Sequence, residues 1–482
     1  MLEREGREMK LKAVSAIMLT LFLVSIAFNV VPVLGPTQYI KIGVVGPKGL
    51  IQWDGLWEGA QMARDKINDT GGINIGGVFY KIQLVDIDEH AVSGPRPSDA
   101  VAELLTKLDA HADMQFLIGG FTSECVFPMR EAAMDYAAVN GRPIWFICGA
   151  ATEELIDCGD GTCSSCVRCD YDRYKYMFRV SSFNTTTLLN TLVAFLKDYL
   201  LPQELAPLYG STVKTYILAE NLVWYDGMVT SLQAGALGTQ AEIVGTARPS
   251  PLETDFSAIF TQIEACEAKL VIHMFSAAAG TAFITQWGLQ QRPFVCVGIN
   301  VVSQDPGFNL LVHGLCEYET ILASVGTRTP IIPGITEKFW DDCVARWSHL
   351  PICTSWGAYD AIMALNETLY GMSTLPNCTT LIPLIEQTDR TGLLGKFKYT
   401  EYHDVFCNEI GSTWTQGYTR PLVVQWQADE MKVVWPQDQP YSLLWVIPEF
   451  PAAIILPLFM FFTLIAVALA KKIRYKVTAK TT

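Results

Sequence analysis

Apolar residues follow two rhythms along this chain. Short runs such as YIKIGVVG from Tyr39, YKIQLVDID from Tyr80, MQFLIGG from Met114 and PIWFICGA from Pro143 have the length and continuity of strands buried on both faces. TVKTYILAE, AEIVGTA, KLVIHMF and FVCVGINVV continue that series between Thr212 and Val302. Between the runs lie segments with apolar positions three and four apart, which predict helices. These are LWEGAQMARDKINDT from Leu56, SDAVAELLTKLDA with Ser98 as its cap, TTTLLNTLVAFLKDYL from Thr185 and DFSAIFTQIEA from Asp255. Gly71 and Gly72 stop the first of them. Strands alternating with helices imply parallel sheets covered on both faces, an α/β fold.

In open sheets of this type, ligands bind beyond the carboxyl ends of the strands. Three strand ends here run into small and hydroxylic residues: GGFTSE at Gly119, GAATEE at Gly149 and AENLVWYDG at Ala219. Such loops present backbone N–H groups and hydroxyls at helix starts, a ready site for an anion. Ordinary helix capping explains any one of them; their recurrence at successive strand ends points to binding.

The apolar pattern differs at both ends of the chain. Lys10 and Lys12 precede AVSAIMLTLFLVSIAFNVVPVLG, the order of a secretory signal, expected over residues 1–36. Pro451 to Ala470 is an apolar run long enough to cross a bilayer, and KKIRYKVTAKTT follows it. The expectation is a transmembrane anchor over 446–470 with a cytoplasmic basic tail at 471–482. The body between them would lie on the extracytoplasmic face of the membrane. Roughly 400 residues are too many for one core and suit two domains.

The net charge of −14 and the lack of a basic, aromatic-interleaved stripe exclude nucleic acid as an expected partner. No nucleophile elbow, H-E-x-x-H or phosphate loop is present, so no enzyme and no catalytic residue is expected. None of the six histidines pairs at metal-ligand spacing, and His273 in its apolar strand reads as a core residue. Neither metal nor cofactor is expected. DCGDGTCSSCVRCD places Cys158, Cys163, Cys166 and Cys169 within twelve residues. The spacing permits a zinc site, an iron–sulfur site or disulfides. Thirteen cysteines in an exported chain favour disulfides, with the pairing undetermined.

The ordered series of motifs resembles the type I periplasmic binding proteins, and is similar to the leucine/isoleucine/valine-binding proteins of ABC transporters. IKIGVVGP through GLWEGAQMARDKINDTGGI, YMFRVSS with Arg179, and TDFSAIFTQI with Asp255 and Phe256 carry it. WGAYDAIMALNETL, TGLLGKFKYTEYHD and VVQWQADEMKVVWP complete it, from residue 39 to residue 436. The resemblance implies two lobes joined by three crossovers and closing by a hinge, each a mostly parallel doubly wound sheet. The first lobe would comprise 38–182 and 322–400, the second 183–321 and 401–438. It further implies a small solute, an amino acid or a related carboxylate or amide, clamped between the lobes and delivered to a permease with its ATPase. A sensory ectodomain acting through a partner is the alternative.

By the same resemblance, Thr122 and Ser123 fall where a ligand carboxylate is held. Ala150 falls where a backbone carbonyl takes the ammonium, and Thr152 where a hydroxyl and N–H assist the carboxylate. Tyr225 faces the ligand from the second lobe, and Trp53 walls its apolar side; Trp57, on a helical repeat, reads as structural. The chain departs from the pattern where an acid usually pairs the ammonium, since Asn300 stands there and Asn184 replaces another acid. A buried ammonium without a carboxylate is costly. Either Glu124, Glu153, Asp226 or Asp305 substitutes, or the solute is not an α-amino acid.

Overall fold

The computed structural model describes residues 38–159, 163–181, 183–305, 307–323, 334–348, 350–407 and 417–436. The signal segment expected at 1–36, the anchor at 446–470 and the tail at 471–482 lie outside these residues. Among the described residues no helix is long and apolar enough to cross a membrane.

Two sheets organise the chain. The first is built from β1 (Gln38–Gly46), β2 (Ile73–Ile75), β3 (Val78–Asp88), β4 (Phe116–Gly119), β5 (Ile144–Cys148) and β6 (Met177–Ser181). Their order is β2-β3-β1-β4-β5-β6, parallel except at β2. The second contains β7 (Val213–Ala219), β8 (Ala241–Ala247), β9 (Leu270–Phe275), β10 (Val295–Asn300) and β11 (Thr320–Ala323). A hairpin, β12 (Asp389–Thr391) with β13 (Lys396–Lys398), precedes its last strands, β14 (Leu422–Gln427) and β15 (Glu430–Trp435). The second sheet runs β15-β14-β11-β10-β9-β7-β8, with β14 and β15 antiparallel. The fold is the expected two-lobed α/β architecture.

Seven helices matter for the site: α1 (Ile51–Asp69), α2 (Pro97–Ala110), α3 (Ser123–Asn140), α4 (Thr185–Phe195), α5 (Ala278–Leu289), α6 (Thr336–Trp347) and α7 (Cys353–Leu369). Helix α1 buries Gly55, Leu56, Gly59, Ala60, Ala63 and Ile67, one face at helical spacing. A Cβ on Gly59 would stand 2.1 Å from the Ser355 carbonyl oxygen of α7. The glycine is what lets these two helices touch. Gly71 and Gly72 end α1 as expected, at φ +103° and +106°, their N–H groups donating to Asn68 and Ile67. Helix α2 begins one residue before the expected cap: Arg96 holds the cap position and Ser98 lies in the first turn. Pro97, with its fixed φ and no N–H to satisfy, starts the helix earlier.

The chain exchanges lobes after β6, after β11 and before β14. Residues 320–323 belong to the second sheet, and 401–405 pack on the first lobe rather than the second. Buried His403 explains the latter, its Nδ1 lying 2.9 Å from the Met177 carbonyl and its ring stacked on Phe178 at 4.1 Å. The second lobe closes over an aromatic core of Phe256, Phe260, Phe275 and Phe283. His273 is also buried, its Nε2 3.2 Å from Glu319.

The expected disulfides are not formed, since all thirteen cysteines are free. The four of the 158–169 loop are drawn toward one another as a group rather than into bonded pairs.

Candidate functional site

A cavity of about 450 Å³ lies between the lobes at the carboxyl ends of both sheets. The first lobe contributes Leu50–Gln52, Val92, Pro95, Phe121–Glu124 and Ala151. The second contributes Leu188, Leu222, Trp224, Ser250–Leu252, Ser276–Ala278, Ile299, Val301 and Gln304. Among the described residues, contacts cross from lobe to lobe at the cavity. The Val223 N–H donates to Glu124 Oε1 at 3.1 Å, and Gln52 Nε2 reaches the Ser276 carbonyl at 3.5 Å. Thr354 steadies Gln52 by donating to its backbone oxygen at 3.0 Å. The cleft is therefore closed in this structure.

The wall is mainly apolar, and its charge is one-sided. Among the described lining residues there is no Lys, Arg or His, and Glu124 is the one ionisable acid. Two more carboxylates stand directly behind the wall. Glu89, following β3, accepts from the N–H groups of Phe121 at 2.6 Å and Thr122 at 2.8 Å. Glu220, following β7, accepts from the Ser276 N–H at 2.9 Å, the Ser276 hydroxyl at 2.8 Å and the Ala277 N–H at 3.1 Å. Each acid thus takes the N–H groups of a helix cap residue and of the residue before it, ahead of α3 in one lobe and of α5 in the other.

Both acids are wholly buried. Burial pushes Glu89 up to about 7 against the pull of its two N–H donors. It does the same to Glu220, also to about 7, with the nearby Glu124 charge adding to the rise. Desolvation outweighs hydrogen bonding at both sites.

The local chain explains how these groups converge. Gly119 closes β4 at φ +98°, and a Cβ there would meet the Val45 oxygen at 2.1 Å. Trp145 Nε1 donates to the Gly119 carbonyl at 3.1 Å and pins the strand end. Phe121–Glu124 then project into the cleft from a fixed base.

The resemblance-derived residues divide sharply. Thr122 and Ser123 line the cavity. Ala150, Thr152, Tyr225, Asn300 and Trp53 are not on its wall. The carbonyls of Ala150 and Thr152 accept from Arg179, the second at 2.7 Å, and Arg179 also pairs with Asp404 at 3.1 Å. An internal guanidinium thus occupies the carbonyl expected to take a ligand ammonium. Tyr225 is buried beside Trp224, ring centres 3.8 Å apart, and it is the indole that reaches the cavity. Asn300 turns into the second lobe and donates to Glu319 at 2.8 Å. Trp53 stacks on Trp57 at 5.3 Å, leaving the neighbouring Gln52 at the wall.

Of the acids proposed as substitutes, Glu124 alone lines the cavity. Glu153 is bonded to Thr186, Asp226 to Arg248, and Asp305 to the Gly307 N–H. Asn184 caps α4 through the Thr187 N–H at 2.7 Å. Sequence reasoning missed Glu89 and Glu220. Their signal was present: an acid directly after an apolar strand, in DIDE and in LAE, at the ligand edge of a parallel sheet.

Comparison with known proteins follows the same architecture. A family described as "Periplasmic binding protein" matches residues 40–305. A branched-chain amino acid transporter substrate-binding protein from Streptococcus pneumoniae, solved with isoleucine, superposes at a TM-score of 0.64. It is 16% identical and covers 82% of this chain and 98% of its own. A solute-binding protein of an ABC transporter from R. palustris, solved with benzoate, gives 0.64 at 13% identity, over 82% and 95% of the two chains. A leucine-, isoleucine-, valine-, threonine- and alanine-binding protein from Brucella ovis in its closed conformation gives 0.61 at 18%, over 81% and 90%. Leucine aminopeptidase 2 of Candida glabrata is 24% identical over 191 residues, spanning 35% of this chain and 27% of that protein.

Proposed function

This chain belongs to the type I periplasmic binding protein family, and from that premise we propose that it is the extracytoplasmic solute receptor of an ABC importer. The family consists of binding proteins, not enzymes, and the work of such a protein is to select a closed state by ligand affinity. In this reading the 446–470 segment tethers the receptor by a single span beside its permease and ATPase, with the C-terminus cytoplasmic.

The solute we propose is a mostly apolar molecule whose polar end is an ammonium or an amide. The observation that carries this is the one-sided charge of the cleft. Glu124 lies on the wall, Glu89 and Glu220 stand behind it, and no cationic side chain lines it among the described residues. A bound carboxylate would add like charge, and two strong N–H donors at each helix start are already taken. An ionised group desolvated without partners costs several kcal/mol. Glu124 instead offers an acceptor to a cation or an N–H donor, while Trp224, Phe121, Leu222 and Val302 bury the apolar part. The cavity has the size of an ordinary small-molecule site.

Calorimetry with a matched series tests this: isopentylamine, 4-methylpentanamide, leucine and 4-methylpentanoate against the full-length protein. The amine and amide are expected to bind and the carboxylate to give no saturable heat. Tightest binding of 4-methylpentanoate would sink the charge argument. Glu124→Gln should erase any preference for the amine over the amide.

A further inference from the structure

The cysteine loop stands apart from the cleft and has a chemistry of its own. Cys158 Sγ lies 3.4 Å from Cys169 Sγ, and Cys163 Sγ lies 3.4 Å from the same atom. Cys166 Sγ lies 3.5 Å from Cys158 and 3.3 Å from Cys169. All four sulfurs fall within 4.8 Å of one another. Cys169 has three near sulfur neighbours at almost equal distance. Two disulfides would instead give each sulfur one partner at about 2.05 Å and leave the two pairs unrelated.

A single tetrahedral ion explains the arrangement. With metal–sulfur bonds of about 2.3 Å, the sulfurs of such a site stand about 3.8 Å apart, inside the observed spread. An iron–sulfur cluster would hold its four cysteines further apart, because several iron atoms stand between them.

The loop is braced so that the sulfurs converge, with Leu155, Ile156 and Val167 anchored in the core. Arg130, buried on α3, donates through Nη1 to the carbonyls of Glu154 at 2.8 Å, Leu155 at 3.1 Å and Ser165 at 2.8 Å. Arg168 forks onto Asp157 at 2.6 and 2.9 Å. The Val167 N–H reaches the Ile156 carbonyl at 2.9 Å and ties the two arms together. The Cys166 carbonyl accepts from Cys169 and Asp170 at 3.2 and 2.9 Å, folding the C-x-x-C pair into a tight turn. The short x4-x2-x2 spacing, which from sequence argues against two separated zinc half-sites, forms one compact four-sulfur cup in three dimensions.

We propose that Cys158, Cys163, Cys166 and Cys169 bind one zinc ion as four thiolates, a structural site on the first lobe. Each thiol gives up its proton on binding, so four metal–sulfur bonds replace four S–H bonds and no electron is transferred. A full ligand set leaves no open coordination position for chemistry.

The test begins with the full-length protein purified without chelator. Elemental analysis should find about one zinc per chain, and X-ray absorption should show sulfur-only coordination. The Cys163→Ser and Cys166→Ser variants should retain less than about a tenth of that metal. Because these variants could fail to fold, wild-type protein stripped of metal is also titrated with cobalt(II) alone. The intense visible bands of a tetrahedral thiolate site should saturate at one equivalent and vanish when zinc is added back. Iron in place of zinc, or sulfur coordination lost in neither variant, overturns the assignment. So does an intact mass four hydrogens lighter, with no metal, and disulfides mapped among these four cysteines. A solute-binding failure in the cleft leaves this result untouched, since neither measurement reads ligand.

Discussion

Glu89 and Glu220 make the protein's stability depend on pH in a direction opposite to that of most salt-bridged acids. Each is raised from 4.5 to about 7 in the folded chain. A raised carboxyl folds at no cost while both states are protonated, below about pH 4.5. As pH rises the unfolded chain ionises first, so stability falls progressively and the loss is complete once pH passes the folded value near 7. At about 1.4 kcal/mol per unit, each carboxyl removes about 2.5 kcal/mol between pH 5 and pH 8, about 5 kcal/mol together. His403, held below its ordinary value of 6.5 by burial, acts the other way, adding stability as pH rises toward 6.5 and no further above it. The comparison is therefore made against the Glu89→Gln/Glu220→Gln double variant, which keeps every other titrating group. Urea unfolding at pH 5, 6, 7 and 8, followed by tryptophan fluorescence and circular dichroism, gives the two curves. The wild type should lose about 5 kcal/mol more than the variant across that range, each single variant accounting for about half. Parallel curves, or a wild type that gains stability relative to the variant as pH rises, would refute the account of both buried acids.

Trp224→Ala should weaken binding of the cleft's solute by about 10- to 100-fold in calorimetry, since the indole is the large aromatic surface of the second lobe. Asn300→Ala should leave the dissociation constant unchanged yet destabilise the second lobe by about 1–3 kcal/mol in urea, because Glu319 loses a buried donor. Arg179→Ala should cost about 3–5 kcal/mol, as Asp404 becomes an unpaired buried charge and the Ala150 and Thr152 carbonyls lose their donor. Gly59→Ala should lower the melting temperature markedly while Gly77→Ala, whose Cβ meets nothing within 4 Å, should not do so by a clash, its cost being that of a positive φ alone.

The architecture was legible because strand and helix periods differ, and the chain keeps both cleanly. KLVIHMF and FVCVGINVV became central strands β9 and β10 with no polar interruption beyond His273 and Asn300. The site was legible only to within a residue. Trp224 rather than Tyr225, Ala151 rather than Ala150 and Gln52 rather than Trp53 reach the cavity. At a strand end or in a tight helical turn, one step along the chain reverses or rotates the side chain. Similar motifs give the loop but not its phase. Residues that satisfy the loop from elsewhere, such as Glu89 reaching across to Phe121 and Thr122, were less visible still. Their partner lies more than thirty positions away and depends on the β3–β1–β4 order. The cysteines show the converse limit: their spacing left zinc, iron–sulfur and disulfide readings open and the exported setting favoured disulfides, whereas bracing by Arg130 and Arg168 holds the four sulfurs close together.

The contact of Gly59 with Ser355 also sets a clock. Helix α1 emerges early in synthesis, but the surface it covers is supplied by α7, roughly 300 residues later. At about 5–20 residues per second, the first lobe waits some 15–60 seconds for its missing helix. The second sheet is completed later still, since β14 must arrive, roughly 100 residues after β11, before β11 has a neighbour on that side. A nascent chain of this design stays unfinished in both lobes until its last quarter is made. For the exported receptor proposed above, delay of that kind keeps the chain threadable.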